Sequence, residues 1–196
     1  MYQSIPSRLL SRLHSRLART LVIVVACVIA CGPVSAGKVH EHGAVKLNIA
    51  IEGTELLIIM EAPLNNLLGF ERRPRTDEER QAAAAVLTRL RGSDKGVSLF
   101  TLDAAAQCRL KSATVQAPVI EPELKSGTQT NPKGGHADLD ASYEFSCATP
   151  GELRMLGTTL FSTYKRIQRI DVQVIGPNGQ SKLRLKRPDR QVPLAR

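Results

Sequence analysis

The stretch VKLNIAIEGTELLIIME, residues 45–61, decides the fold. Val45, Leu47, Ile49 and Ile51 alternate with Lys46, Asn48 and Ala50, the period of two left by a strand with one buried face. Glu52-Gly53-Thr54 reads as a tight turn, and Glu55 to Glu61 as the antiparallel partner strand. Leu56 to Met60 is apolar at every position, so this second strand lies centrally or is covered on both faces.

Working outward, Pro63 ends the hairpin and residues 64–75 read as a connection. Thr76 then opens a helix. With Glu79 three residues on it forms a capping box, and Asp77, Glu78 and Glu79 suit the positive end of the helix dipole. Ala83, Val86, Leu87 and Leu90 make the apolar stripe, and Gly92 stops it. The class of residues 97–102 stays open. Arg109 to Ala117 reads as a strand ended by Pro118, and residues 119–136 as a flexible loop rich in Pro, Gly and polar groups.

Residues 137–147, ADLDASYEFSC, give the cleanest alternation in the chain: Leu139, Ala141, Tyr143, Phe145 and Cys147 on one face, Asp138, Asp140, Ser142, Glu144 and Ser146 on the other. Thr149-Pro150 with Glu152 repeats the helix-start chemistry. A second helix is predicted over the following residues, with Leu153, Leu156, Leu160, Phe161 and Tyr164 as its core stripe. Strands at 167–175 and 181–185 flank the turn Gly176-Pro177-Asn178-Gly179. The order ββα-ββα-ββ predicts an α+β domain: a mainly antiparallel sheet with two helices packed on one face.

The chain begins differently. Arg8, Arg12, Arg16 and Arg19, an apolar run from Leu21 to Ala30, and the small residues Val34-Ser35-Ala36 are the three regions of a secretory signal, in order. The apolar run is shorter than the ~20 residues a membrane span needs. Residues 1–36 therefore read as a signal peptide and 37–196 as a single exported domain, placed in the periplasm. Two processing routes fit the residues: cleavage after Ala36, or acylation at Cys31 in the lipoprotein-like sequence Val28-Ile29-Ala30-Cys31. Only the second would hold the protein on a membrane.

Removal of the signal takes four basic and no acidic residues, leaving 23 basic against 18 acidic, a balance of +5 rather than +9. Aromatic residues are 4% of the chain and Trp is absent, so stacking platforms for bases are scarce and no nucleic-acid partner is expected. The basic cluster Lys182, Arg184, Lys186, Arg187 and Arg190 reads as a solvated strand face. Two cysteines, Cys108 and Cys147, remain in the mature chain. In an oxidising compartment they suggest one disulfide, the alternative being two buried thiols.

No GxSxG, P-loop, GxGxxG or HExxH motif occurs, and no activity as an enzyme is expected. The one cluster with chemical meaning is His40-Glu41-His42. Imidazoles bind zinc, copper and nickel, and in an extended segment His40 and His42 project to the same side with Glu41 as an added oxygen donor. Two imidazoles fall short of the four donors zinc usually takes. His136 and Asp138 are the candidates to complete the set, with Glu121, Glu123 and Asp140 nearby in sequence. The same residues also read as a polar tail and a wet strand face.

Taken together, HEHGAVKLNIAIEG (40–53), EAPLNNLLGFERRP (61–74), SLFTLDAAAQCRL (98–110), HADLDASYEFSCATP (136–150) and LRMLGTTLFSTYKRIQRIDVQVIGPNGQSKLRL (153–185) resemble the ZrgA family of periplasmic proteins associated with zinc uptake. The resemblance covers essentially the whole mature chain. It implies a non-catalytic zinc-binding accessory whose partners are a divalent metal ion and an envelope metal-transport component. It also implies a His/Asp/Glu-rich insertion between the middle strands. Here that insertion corresponds to residues 119–136 and keeps only Glu121, Glu123 and His136. The rival expectation is an envelope interaction module working through the sheet and the Asn65 to Phe70 segment, with most metal binding lost.

Overall fold

A computed structural model of the chain describes residues 41–92, 99–121 and 137–194. Residues 1–36, His40, Glu123 and His136 lie outside the described residues, so the signal, two of the candidate ligands and most of the 119–136 loop are not placed.

The hairpin forms as read. Strands β1 (Ala44–Glu52) and β2 (Glu55–Pro63) pair antiparallel from Lys46↔Glu61 to Glu52↔Glu55, and Gly53 turns between them at φ +55°. β2 sits near the middle of a six-stranded sheet, flanked by β1 and by β5 (Asp138–Cys147). Central placement accounts for its unbroken apolar run. Leu56, Ile58 and Met60 are fully buried, while Leu57 and Ile59 lie half-buried on the opposite face.

Strand β4 (Cys108–Gln116) forms one edge of the sheet beyond β5. On the other side, β7 (Arg169–Gly176) pairs parallel to β1, and β8 (Gly179–Lys186) forms the second edge. The other ladders are antiparallel, so the α+β class with a mainly antiparallel sheet holds. Register puts Leu47, Met60, Ile58, Tyr143 and Val172 on one inner face, where they join a continuous core.

Helix α2 (Asp77–Leu90) closes that core with Ala83, Val86, Leu87 and Leu90. Its start matches the capping box in outline: the Thr76 hydroxyl accepts from the Glu79 backbone N–H at 3.2 Å. The return contact is richer than expected. The Glu79 carboxylate accepts from the Arg75 N–H at 2.6 Å and from both terminal nitrogens of Arg72 at 2.8 and 2.6 Å. The Arg72 hydrogen bonds first, then the Arg75 N–H, hold the Glu79 carboxyl down at about 2. The connection before it contains a short helix that the sequence did not reveal, α1 (Leu64–Leu68). Gly69 ends α1 at φ +88°, and a Cβ there would stand 2.7 Å from the Arg166 guanidinium.

Cys108 and Cys147 face each other across the β4–β5 ladder and are joined by a disulfide. The bridge pins the edge strand to its neighbour beside the irregularity between Leu110 and Ser112.

The second long helix is not formed, and this is the main correction to the predicted order. Thr149 makes no side-chain cap, and Pro150–Glu152 is a single 3-10 turn. The Asp103 carboxylate then accepts from the backbone N–H groups of Arg154 and Met155, both at 2.7 Å, taking donors a helix would have used. Met155–Thr158 becomes β6, the centre of a small sheet between β3 (Phe100–Leu102) and β9 (Gln191–Pro193). Gly157, a poor helix former, pairs there with Thr101. Only Leu160–Thr163 is helical, as α3. Yet Leu153, Leu156, Leu160, Phe161 and Tyr164 are all buried, so the apolar pattern identified the core while misreading the backbone. Among the described residues no helix is long and apolar enough to cross a membrane.

Candidate functional site

The start of β1 is held by two elements distant in sequence. Asn66, buried in α1, accepts from the Gly43 N–H at 2.7 Å and donates its amide to the Ala44 carbonyl at 2.7 Å. The Gly43 carbonyl accepts from the N–H groups of Gln168 and Arg169 at 2.8 and 3.0 Å. Gly43 has φ +82°, and a Cβ there would press on the Gln168 side chain at 2.9 Å, so both conformation and space favour glycine. The Ala44 N–H closes the turn onto the Glu41 carbonyl at 3.0 Å.

Two side chains of this turn carry chemistry. Glu41 lies under the guanidinium of Arg169, which grips both of its oxygens. That hydrogen bonding keeps the Glu41 carboxyl below its ordinary range and raises the Arg169 pKa. Arg169 also bonds Asp171 at 3.0 Å through Nε, and Asp171 accepts from Arg184 at 2.6 Å. Burial pushes the Asp171 carboxyl up, but these two guanidiniums outweigh it and its pKa is lowered. His42 is directed elsewhere, with Nε2 2.9 Å from Oε1 of Glu71. The His42 side chain is 57% exposed and Glu71 only 17%. In the tautomer that carries its proton on Nε2, the ring donates to the carboxylate and Nδ1 is the acceptor nitrogen. A carboxylate holding the far nitrogen is the usual outer partner of a metal-binding histidine.

Sequence reasoning singled out His42 and missed Glu71. The stretch around Glu71 has no periodicity, and the only local clue is the turn-forming Gly69 two residues before it. Of the other candidates, Glu41 is placed on Arg169 rather than beside His42. Asp138 opens β5 opposite Pro63, two strands from β1. The gap is about 10 Å at the usual strand spacing. Both segments nevertheless reach one end of the sheet, because the Leu64 N–H, one residue past β2, donates to the Ala137 carbonyl at 2.8 Å. Asp138 and Asp140 share the face opposite Leu139, as read, and Glu121 pairs with Arg91. Among the described residues, no group of three or more His, Cys, Asp or Glu is placed to hold a metal ion.

Fold and rim together define a disulfide-closed α+β domain with a carboxylate-held imidazole at one end of its sheet, a donor of the kind transition metals accept. The chain belongs to the ZrgA family: the family model described as ZrgA family zinc uptake protein matches residues 39–194. A search of curated proteins found no match.

Proposed function

We propose that this protein is a non-catalytic periplasmic accessory of zinc uptake, exported by residues 1–36, that binds zinc as cargo at the His42 end of the sheet. The observation that carries the reading is the contact of the exposed His42 imidazole with the half-buried Glu71 carboxylate, the outer contact that commonly orients a metal-binding histidine. The described residues supply that oriented imidazole and not a full donor set, since zinc usually takes four ligands. His40 and His136 are the sequence neighbours of Glu41 and Ala137, whose strands begin at this same end of the sheet with β2 between them, and with Asp138 they are the proposed remaining donors. Glu41 has a different part, anchoring the turn through Arg169.

Zinc titration of the mature protein at neutral pH tests the site. His42→Ala should weaken binding at least tenfold. Glu71→Gln should weaken it by roughly ten- to a hundredfold, the usual cost of losing an outer carboxylate. Affinity unchanged in both variants removes the site. Elemental analysis with intact mass of periplasmic protein tests export, processing and metal content together.

The interaction-module reading finds less support at its expected place. In the Asn65 to Phe70 segment Asn66 and Leu67 face inward and serve the scaffold. A partner surface is better sought on the sheet.

A further inference from the structure

The outer face of the sheet carries a shallow groove of about 550 Å³ whose lining is set by strand register. Lys46 on β1, Asp171 on β7 and Arg184 on β8 form one row across it, and Asn48, Gln173 and Lys182 the next. Its lining therefore comes from three neighbouring strands, with β7 in the middle, β1 on one side and the edge strand β8 on the other. The two flanking strands are about 10 Å apart by strand spacing, a breadth comparable with one extended chain and its side chains.

Its charge is uneven in a way the ion pairs explain. Glu41, Arg169, Asp171 and Arg184 form a chain of two acids and two bases that balances itself. Lys46 and Lys182 have no ion pair among the described residues, and both are exposed. The surplus of the groove is thus two ammonium groups on the two flanking strands, beside an Arg184 whose side chain is 57% exposed.

We infer that this groove binds an extended acidic segment of a partner protein, its carboxylates received by Lys46, Lys182 and Arg184. Lys182 and Arg184 are two residues apart on one strand, hence about 7 Å apart. An extended ligand with an acid at every second position presents carboxylates at the same repeat. The Asn48 and Gln173 amides share the row of Lys182 and can bond the ligand backbone. A groove one chain wide suits a peptide better than a flat anionic bilayer.

The test uses the mature full-length protein in EDTA, which separates this inference from the zinc reading. The probe is a fluorescein-labelled peptide alternating Glu and Ser, with a Gln/Ser peptide as the neutral control. Anisotropy titration should show at least tenfold tighter binding of the acidic peptide, weakening as salt rises. Lys46→Glu with Lys182→Glu should lose at least tenfold. Arg109→Glu, on the opposite edge strand, should keep wild-type affinity. If the charge-reversed pair fails to fold, the Lys46→Gln, Lys182→Gln pair replaces it, and a severalfold loss is expected. Equal binding of the two peptides, wild-type affinity in the lysine variants, or capture by phosphatidylglycerol vesicles without peptide binding would each overturn the proposal.

Discussion

Arg169, at the first position of β7, holds Glu41 with both terminal nitrogens while its Nε bonds Asp171 at 3.0 Å. The guanidinium thereby ties the segment entering β1 to the strand that runs parallel to it. Arg169→Leu should leave the sheet folded but free residues 41–43. Faster amide exchange at Ala44, whose N–H bonds the Glu41 carbonyl, is the expected readout, with a fall in zinc affinity and little change in melting temperature. Exchange at Ala44 equal to wild type would show that the turn does not depend on this grip.

Asn66 is the buried counterpart of that anchor. Asn66→Ala strands the Gly43 N–H and the Ala44 carbonyl inside the protein, at a cost of about 2–3 kcal/mol. Asn66→Asp keeps an acceptor for Gly43 and loses the donor to Ala44, so it too should destabilise. Urea unfolding of the three proteins measures this, and stability within error of wild type for the alanine variant would contradict it.

The Cys108–Cys147 bridge closes a loop with a sequence separation of 39. In the chain-entropy account this contributes about 4 kcal/mol. Reduced protein, or the double serine variant, should unfold at correspondingly lower denaturant. An unchanged midpoint would mean that the β4–β5 ladder alone fixes the edge strand.

Glu79 sets an acid limit on stability. Its folded pKa, about 2, lies below the ordinary carboxyl value because Arg72 and the Arg75 N–H bond the ionised form. Its contribution is therefore complete above the unfolded pKa, near 4.5, and is lost as pH falls toward 2. Glu79→Gln should be less stable than wild type at pH 7, with the difference shrinking steadily below pH 4.5. A difference independent of pH would assign the effect to packing instead.

Gly69→Ala should destabilise by about 1–2 kcal/mol, since the residue sits at φ +88° and its new methyl would displace the Arg166 guanidinium. Pairing the change with Arg166→Ala relieves the contact and leaves the backbone strain, so the double variant should recover only part of the loss in thermal unfolding.

Local pattern made much of this protein legible. Alternation at 45–51 and 137–147 fixed strands and faces, and Thr76 with Glu79 fixed a helix start, because strand alternation and capping depend on neighbours a few residues away. The error at 149–164 has a physical source. Leu153, Leu156, Leu160 and Phe161 carry a helical period that burial satisfies equally well through a strand followed by one helical turn. The choice was made by Asp103 and by β3 and β9, all remote in sequence.

The sequence by itself determined the α+β class, the central place of β2, the helix at 77–90 and the presence of an imidazole near the start of the domain. Only the tertiary structure decided that His42 meets Glu71 while Glu41 is taken by Arg169, and that Lys46 and Lys182 lie in adjacent rows on either side of β7. Those relations join residues many positions apart. They are fixed by strand order and register, which no local pattern encodes.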